Sequence, residues 1–223
     1  MHKTLRATRV RPRRYSELLV AGLLAFTLQA CAFGNSFRYH DLQATIPADR
    51  STSVAAATLD HRPYILDEDS DPSYAGMTRG GYGNPFSAHT ESGKPLADEL
   101  TGILVRSLER GGVKAVSVQT QFRETDDQVI RSLVSAGMDR AILLTLRNWQ
   151  SDTMVNTTLE YDVELQVLDS TGKTLASQSF KGEKDLGGNA FNPYAHAMTE
   201  VPPAVSQLIS SFFAAPEVRK ALQ

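Results

Sequence analysis

RAILLTLRNW (Arg140–Trp149) and TTLEYDVELQVLD (Thr157–Asp169) decide how this chain folds. In the first, Ala141-Ile142-Leu143-Leu144 is an unbroken apolar run, the mark of a strand buried on both faces. In the second, Leu159, Tyr161, Val163, Leu165 and Val167 alternate with Glu160, Asp162, Glu164 and Gln166, a period of two that belongs to a half-exposed strand. With the elements read on either side of them, in the order β-(long excursion)-α-β-α-β-β-β-α, these strands predict an α/β (α+β) domain with a single mixed sheet and helices packed on one face.

Downstream, Asp169-Ser170-Thr171-Gly172 spells a turn, with Gly172 suited to a left-handed position, and Lys173 to Gly182 is expected to return as a hairpin partner. These segments predict a C-terminal meander of three strands. After Gly187-Gly188, Asn192-Pro193 opens a helical piece, and Pro202-Pro203 is expected to break and restart it. Val205, Leu208, Ile209, Phe212 and Phe213 then form an apolar face, and a last turn follows Pro216.

Upstream, Thr125 is a suitable N-cap for a helix over Asp126–Met138, with Val129, Ile130, Leu133, Val134 and Met138 inward. Lys114 to Thr120 reads as a strand. Pro95 opens a helix to about Arg110, with Leu96, Leu100, Ile103, Leu104 and Leu108 in one stripe and Asp98 and Glu99 complementing the N-terminal dipole. Ser53 to Leu59 is a buried strand that runs into Asp60-His61-Arg62-Pro63-Tyr64, where Pro63 forces an edge or a bend. Between them lie an acidic turn, Asp67 to Pro72, and a glycine-rich aromatic stretch, Tyr74 to Phe86. The acidic turn begins like a calcium loop but has Pro72 where that loop needs glycine and Thr78 where it needs glutamate. A solvated turn is the reading it supports.

Residues 1–30 read as a secretory leader: Lys3, Arg6, Arg9, Arg11, Arg13 and Arg14 precede an apolar run, Leu18 to Leu28, too short to span a bilayer. Leu28-Gln29-Ala30-Cys31 resembles the lipobox of bacterial lipoproteins. That resemblance implies cleavage between Ala30 and Cys31 and a diacylglycerol on the Cys31 thiol, with a further acyl chain such as palmitate often added to the new amino group. Cys31 is the sole cysteine, and its thiolate is the nucleophile such a modification requires. Ala32 in the following position resembles the sorting pattern for the outer membrane rather than the inner. The expected organisation is a signal peptide over 1–30, a lipidated Cys31 with a flexible tether over 31–52, and a single periplasmic α/β domain over 53–223.

Without the leader the chain keeps 17 of its 23 basic and 24 of its 25 acidic residues, a formal charge of −7. That disfavours nucleic acid and anionic membrane surfaces as partners. The remaining 193 residues suffice for one domain with a substantial core.

The order of elements, Asp60-x-Arg62-Pro63-Tyr64 after the first strand, the Pro95-Leu96 helix and the Thr158-Asp162-Val163 strand together resemble the YajG-type envelope lipoproteins and, more distantly, the auxiliary lipoproteins of lipid-handling ABC transporters. The resemblance implies a periplasm-facing binding or assembly accessory and supplies no catalytic residues. The histidines, His2, His40, His61, His89 and His196, form no ligand pair, and no G-x-S-x-G elbow occurs. No catalytic residue, metal or cofactor is therefore expected, although a hydrolase with an unrecognised site stays open, as does a carrier that binds an apolar ligand between sheet and helices. Anchoring by Cys31 and an envelope protein partner complete the expectation. For that partner Tyr74, Met77, Arg79, Tyr82 and Phe86 are the candidate contacts, being side-chain types that serve as interface anchors. The competing reading of this stretch is that its aromatics cover the domain's own sheet.

Overall fold

In the computed structural model, residues 35–223 are described, and the strand that opens at Arg140 continues to Thr153. As β6 (Arg140–Thr153) it is the spine of an eight-stranded mixed sheet. The other strands are β1 (Asn35–Phe37), β2 (Ser53–Asp60), β3 (Tyr74–Arg79), β4 (Pro85–Thr90), β5 (Lys114–Ser117), β7 (Asn156–Asp169) and β8 (Thr174–Gly188). One edge of β6 is shared end to end. Its first half pairs in parallel with β2, from Val54 opposite Arg140 to Asp60 opposite Leu146, and its last residues pair in parallel with β3, Gly76 opposite Ser151. The other edge carries the expected antiparallel meander of β7 and β8.

The helices are α1 (Pro63–Leu66), α2 (Leu96–Arg110), α3 (Asp126–Ser135), α4 (Pro193–Ala214) and α5 (Pro216–Ala221). Along β2 successive side chains point to opposite faces. Val54 and Ala56 join the core formed with α2, α4 and α5, whereas Ala55, Ala57 and Leu59 join a smaller core with Val129 and Leu133 of α3. The mixed sheet, the meander and the terminal helix are thus present, and α2, α4 and α5 share one face as expected. α3 differs by covering the opposite face. The apolar run Ala141 to Leu144 requires such a cover, since Ala141 and Leu143 face α3 while Ile142 and Leu144 face the larger core. A capping box starts α3, with the Gln128 backbone N–H donating to Thr125 Oγ1 and the Thr125 backbone N–H to Gln128 Oε1.

Three further segments differ from expectation. Residues 35–52 are packed rather than a tether: β1 pairs with β4, and Phe37, Tyr39 and Ile46 are buried. Phe37 and Tyr39 alternate weakly, as a short strand would, and the residues after them keep no sustained period. The stretch Tyr74 to Phe86 contributes β3, the turn after it and the start of β4, an antiparallel pair that widens the sheet. Its alternation is hidden because Tyr74, Ala75 and Gly76 are all buried, and a Cβ on Gly76 would run into the Ser151 carbonyl oxygen. Lastly, α4 is one helix that runs through Pro202 and Pro203. Each proline removes an intrahelical hydrogen bond, but Val201, Val205, Ile209 and Phe213 stay fully buried against the sheet, and Phe212 stacks on Phe180 at 4.5 Å.

Candidate functional site

Two places in the described residues reverse the usual distribution of polar and apolar groups. The first is Arg62, completely buried beside Asp60 at the end of β2. Its Nε donates to Asp60 Oδ1 at 2.8 Å and its Nη2 to Asp60 Oδ2 at 2.7 Å, the paired geometry that suits guanidinium and carboxylate. Nη1 donates to the carbonyls of Tyr74 at 2.7 Å and Trp149 at 3.2 Å, and Nη2 reaches that of Pro72 at 3.4 Å. All five guanidinium N–H groups are therefore used. Burial opposes the charge on Arg62, but the hydrogen bonds and negative charge of Asp60 outweigh it and hold the guanidinium above its ordinary pKa. Arg62 fastens β2, β3 and β6 to one another, with Tyr64 beneath its guanidinium at 5.3 Å.

Beside this knot a cleft of about 240 Å3 opens at the carboxyl end of β2, lined by Asp60, Pro72, Pro95, Ala97, Thr120 and Phe122 among others. β2 lies between β5 and β6 with all three strands parallel, and α2 and α3 cover opposite faces. This is a topological switch point, where open α/β sheets place their ligand crevices. His61 points elsewhere: its Nε2 lies 2.9 Å from the Glu124 carbonyl and its Nδ1 3.8 Å from Asp126.

The second place is the end of the sheet where β3, β6 and β8 finish. β3 and β6 run parallel, so the β3–β4 turn lies beside Met154 and Val155 in the β6–β7 turn. The Asn189 backbone N–H donates to the Val155 carbonyl at 3.2 Å and brings the β8–α4 connection to the same end. Tyr82 and Phe191 are fully exposed there, and Phe86, Met154 and Val155 are about half exposed. Around them a groove of about 400 Å3 is lined by Thr78, Arg79, Met154, Val155, Pro193 and Tyr194 among others. The chain enters at this end too, because β1 runs parallel to β4 with Asn35 opposite Ala88, and Asn35 Nδ2 donates to the Phe86 carbonyl at 3.4 Å.

The five candidate contact residues are divided by this geometry. Tyr74 is buried against Tyr64 and His89, and burial pushes its phenol up to about 12. Arg79 is held by Asp152, with Nε to Oδ1 at 2.8 Å and Nη2 to Oδ2 at 2.5 Å, and Met77 is half-buried in β3. Tyr82 and Phe86 alone of the five offer an unoccupied apolar surface. Met154, Val155 and Phe191 were not foreseen as their companions. A signal for them exists in the sequence: residues 80–88, 153–159 and 186–195 contain no Asp, Glu, Lys or Arg. The cleavage position Ala30–Cys31 and the lipidation residue Cys31 lie outside the described residues.

No family model matches the sequence, and no curated protein matches it. The structure is similar to that of protein XCC0632 from Xanthomonas campestris, described under DUF330, at 14% identity over 80% of this chain and 94% of that one, with a TM-score of 0.50. Weaker similarities are to PelC from Paraburkholderia phytofirmans, solved as a dodecamer (13% identity, 74% of this chain and 92% of that one, TM-score 0.38), and to lipoprotein GNA1162 from Neisseria meningitidis (13%, 72% and 99%, TM-score 0.28). Of these three, XCC0632 is alike enough to show a shared fold, and at this identity the likeness concerns the fold alone.

Proposed function

We propose that the protein is a lipid-anchored, periplasm-facing envelope lipoprotein that serves as a non-enzymatic accessory to another envelope component. The observation that carries the proposal is the distance along the chain between anchor and domain. The lipobox-like Leu28-Gln29-Ala30-Cys31 ends four residues before Asn35, where the compact unit Asn35–Gln223 begins. No helix among the described residues is long and apolar enough to cross a membrane, so in this reading attachment rests on Cys31. Two or three acyl chains hold a protein durably, since each buried CH₂ contributes about 0.8 kcal/mol. YajG-type membership and delivery to the outer membrane are parts of the same reading, supported by the Asp60-x-Arg62-Pro63-Tyr64 spelling and by Ala32.

Fractionation of bacterial cells that express the full chain tests it. The wild type is expected in the membrane pellet as a mature chain with acyl mass on Cys31. Cys31→Ala is expected to remain uncleaved before residue 31 and to lose its acyl-dependent attachment. Full retention of a mature, unacylated variant in the pellet would contradict the anchor. Chemical cross-linking of the wild type in the same membranes should capture a distinct envelope protein, and repeated failure to do so would remove the accessory role.

The cleft beside Asp60 favours a second reading, in which a small, largely apolar ligand binds at the switch point. Its lining by Pro72, Pro95, Ala97 and Phe122 is the supporting observation. Phe122→Asp should abolish the mass of any small molecule retained by the wild type in native mass spectrometry, and absence of such a mass from the wild type would discard this reading.

A further inference from the structure

The charge-free segments identified above gather at one end of the sheet, and the described chain starts there. Residues 80–88 form the β3–β4 turn and the start of β4, residues 153–159 the β6–β7 turn with the strand ends beside it, and residues 186–195 the end of β8, the connection after it and the start of α4. None contains a formal charge, and neither do residues 32–37, which lead into β1. The opposite end of the same strands is different in kind. Asp139 and Arg140 stand at the start of β6, Asp169 and Lys173 at the β7–β8 turn, and Glu217, Lys220 and Arg140 around the groove beside Leu175. In an acidic domain, exclusion of every charge from adjacent loops is a property of that end and not of the whole surface.

The apolar groups at this end are exposed and unpaired with one another. Tyr82 sits in a turn with no neighbour to cover its ring, and Phe191 projects between Asn189 and Asn192, its backbone N–H donating to Asn189 Oδ1 at 2.9 Å. Exposed apolar side chains gathered at one end of a sheet mark an interaction site, and the chain leading into β1 indicates its occupant. Asn35 is hydrogen-bonded to the Phe86 carbonyl. Cys31 stands four positions before it, and an extended chain spans at most about 3.6 Å per residue, so the Cα of Cys31 stays within about 14 Å of that of Asn35.

We infer that Tyr82, Phe86, Met154, Val155 and Phe191 form a lipid-contacting tip that enters the bilayer interface beside the acyl anchor and fixes the orientation of the domain. The inference rests on the Cys31 anchor proposed above. Tyrosine and phenylalanine suit the headgroup level, Tyr because its ring is apolar and its hydroxyl stays wet, and interfacial groups of this kind sink about 5–10 Å into the boundary with the acyl chains. Absence of charge is required there, because an acidic group at the tip would be repelled by anionic headgroups and any ion would lose hydration. The acidic body is thereby held off the surface while its tip remains in it. Arg79 and Asp152 sit at the upper border of the tip and neutralise each other, and the carboxylate of Asp185, opposite Thr158, is turned to the Gly187 backbone N–H at 2.8 Å.

Tryptophan fluorescence of the full mature protein decides the matter. Tyr82→Trp and Phe191→Trp place a reporter in the tip, and Leu175→Trp places one at the far end of β8. Trp149 is fully buried and gives the same background in every variant. Each variant is reconstituted in vesicles of phosphatidylethanolamine and phosphatidylglycerol with dibrominated phosphatidylcholine, and vesicle flotation is measured in parallel. Expected are a blue shift and quenching by the brominated chains at positions 82 and 191, with neither at 175. Flotation without quenching at 82 and 191 would overturn the lipid tip and leave the anchor intact. A blue shift without quenching would overturn it in favour of contact with a second copy or another protein. Failure of the wild type to float, with no acyl mass on Cys31, would remove the anchor and the tip together.

Discussion

Arg62 and Phe191 are displaced in opposite senses, one a charge with no exposure at all and the other an aromatic ring with no cover at all. The contrast separates a polar group that the fold satisfies from apolar groups that it leaves uncovered. Every donor of Arg62 ends on an acceptor of the same chain, so the buried charge is accounted for by the structure of β2, β3 and β6. The exposed aromatics are close to one another in the fold yet contribute to neither core. The proposed contact with lipid accounts for their exposure.

The largest expected effect falls on the buried side of this contrast. Arg62→Ala leaves the Asp60 carboxylate buried and unpaired and frees three carbonyls, a change of about 3–5 kcal/mol in urea unfolding. A loss below 1 kcal/mol would mean that the knot is not what joins the strands. Gly76→Ala should follow at about 1–3 kcal/mol, because the added methyl meets the Ser151 backbone where β3 joins β6. Wild-type stability in that variant would show that the close approach relaxes freely.

A smaller effect is set by pH. Burial pushes the Tyr39 phenol up to about 12, with the charge of Arg62 pulling the other way, and the ordinary value is about 10. The folded state holds this proton more tightly than the unfolded one, so the associated stability is complete below about pH 10 and is lost as the pH rises through about 12. The Tyr39 hydroxyl has no hydrogen-bond partner among the described residues. Tyr39→Phe should therefore keep neutral-pH stability and flatten the alkaline limb of an unfolding-midpoint profile, and an unchanged limb would place the alkaline loss elsewhere. The smallest effect belongs to the tip: Tyr82→Ser with Phe191→Ser should shift the unfolding free energy by no more than about 0.5 kcal/mol, as for surface residues outside any network. A greater loss would mean that these rings support the fold after all.

Local patterns in the sequence were sufficient for the parts of the fold that repeat. Ala141 to Leu144 and the alternation from Leu159 to Val167 specify the spine and its neighbour, and Thr125 specifies a helix start. Segments whose structure depends on distant partners were not legible. β3 hides its period because both of its faces are covered and Gly76 is pressed onto Ser151, and α4 survives two prolines because the sheet beneath it holds both sides of the break. Residues 35–52 owe their order to β4 and α2, to which no local spacing points. Of the tip, Tyr82 and Phe86 were visible as aromatics among glycines, whereas Met154, Val155 and Phe191 become their neighbours through the parallel register of β3 with β6.

Photo-cross-linking in the intact envelope shows whether the uncharged end of the sheet meets lipid beside the anchor. A benzophenone-bearing phenylalanine analogue at position 82 or 191 of the full chain is predicted to give adducts of phospholipid mass on an otherwise monomeric protein, while the same group at position 175 gives none. A discrete adduct with a second protein, or with another copy of this chain, at 82 and 191 in place of the lipid adducts would contradict the account.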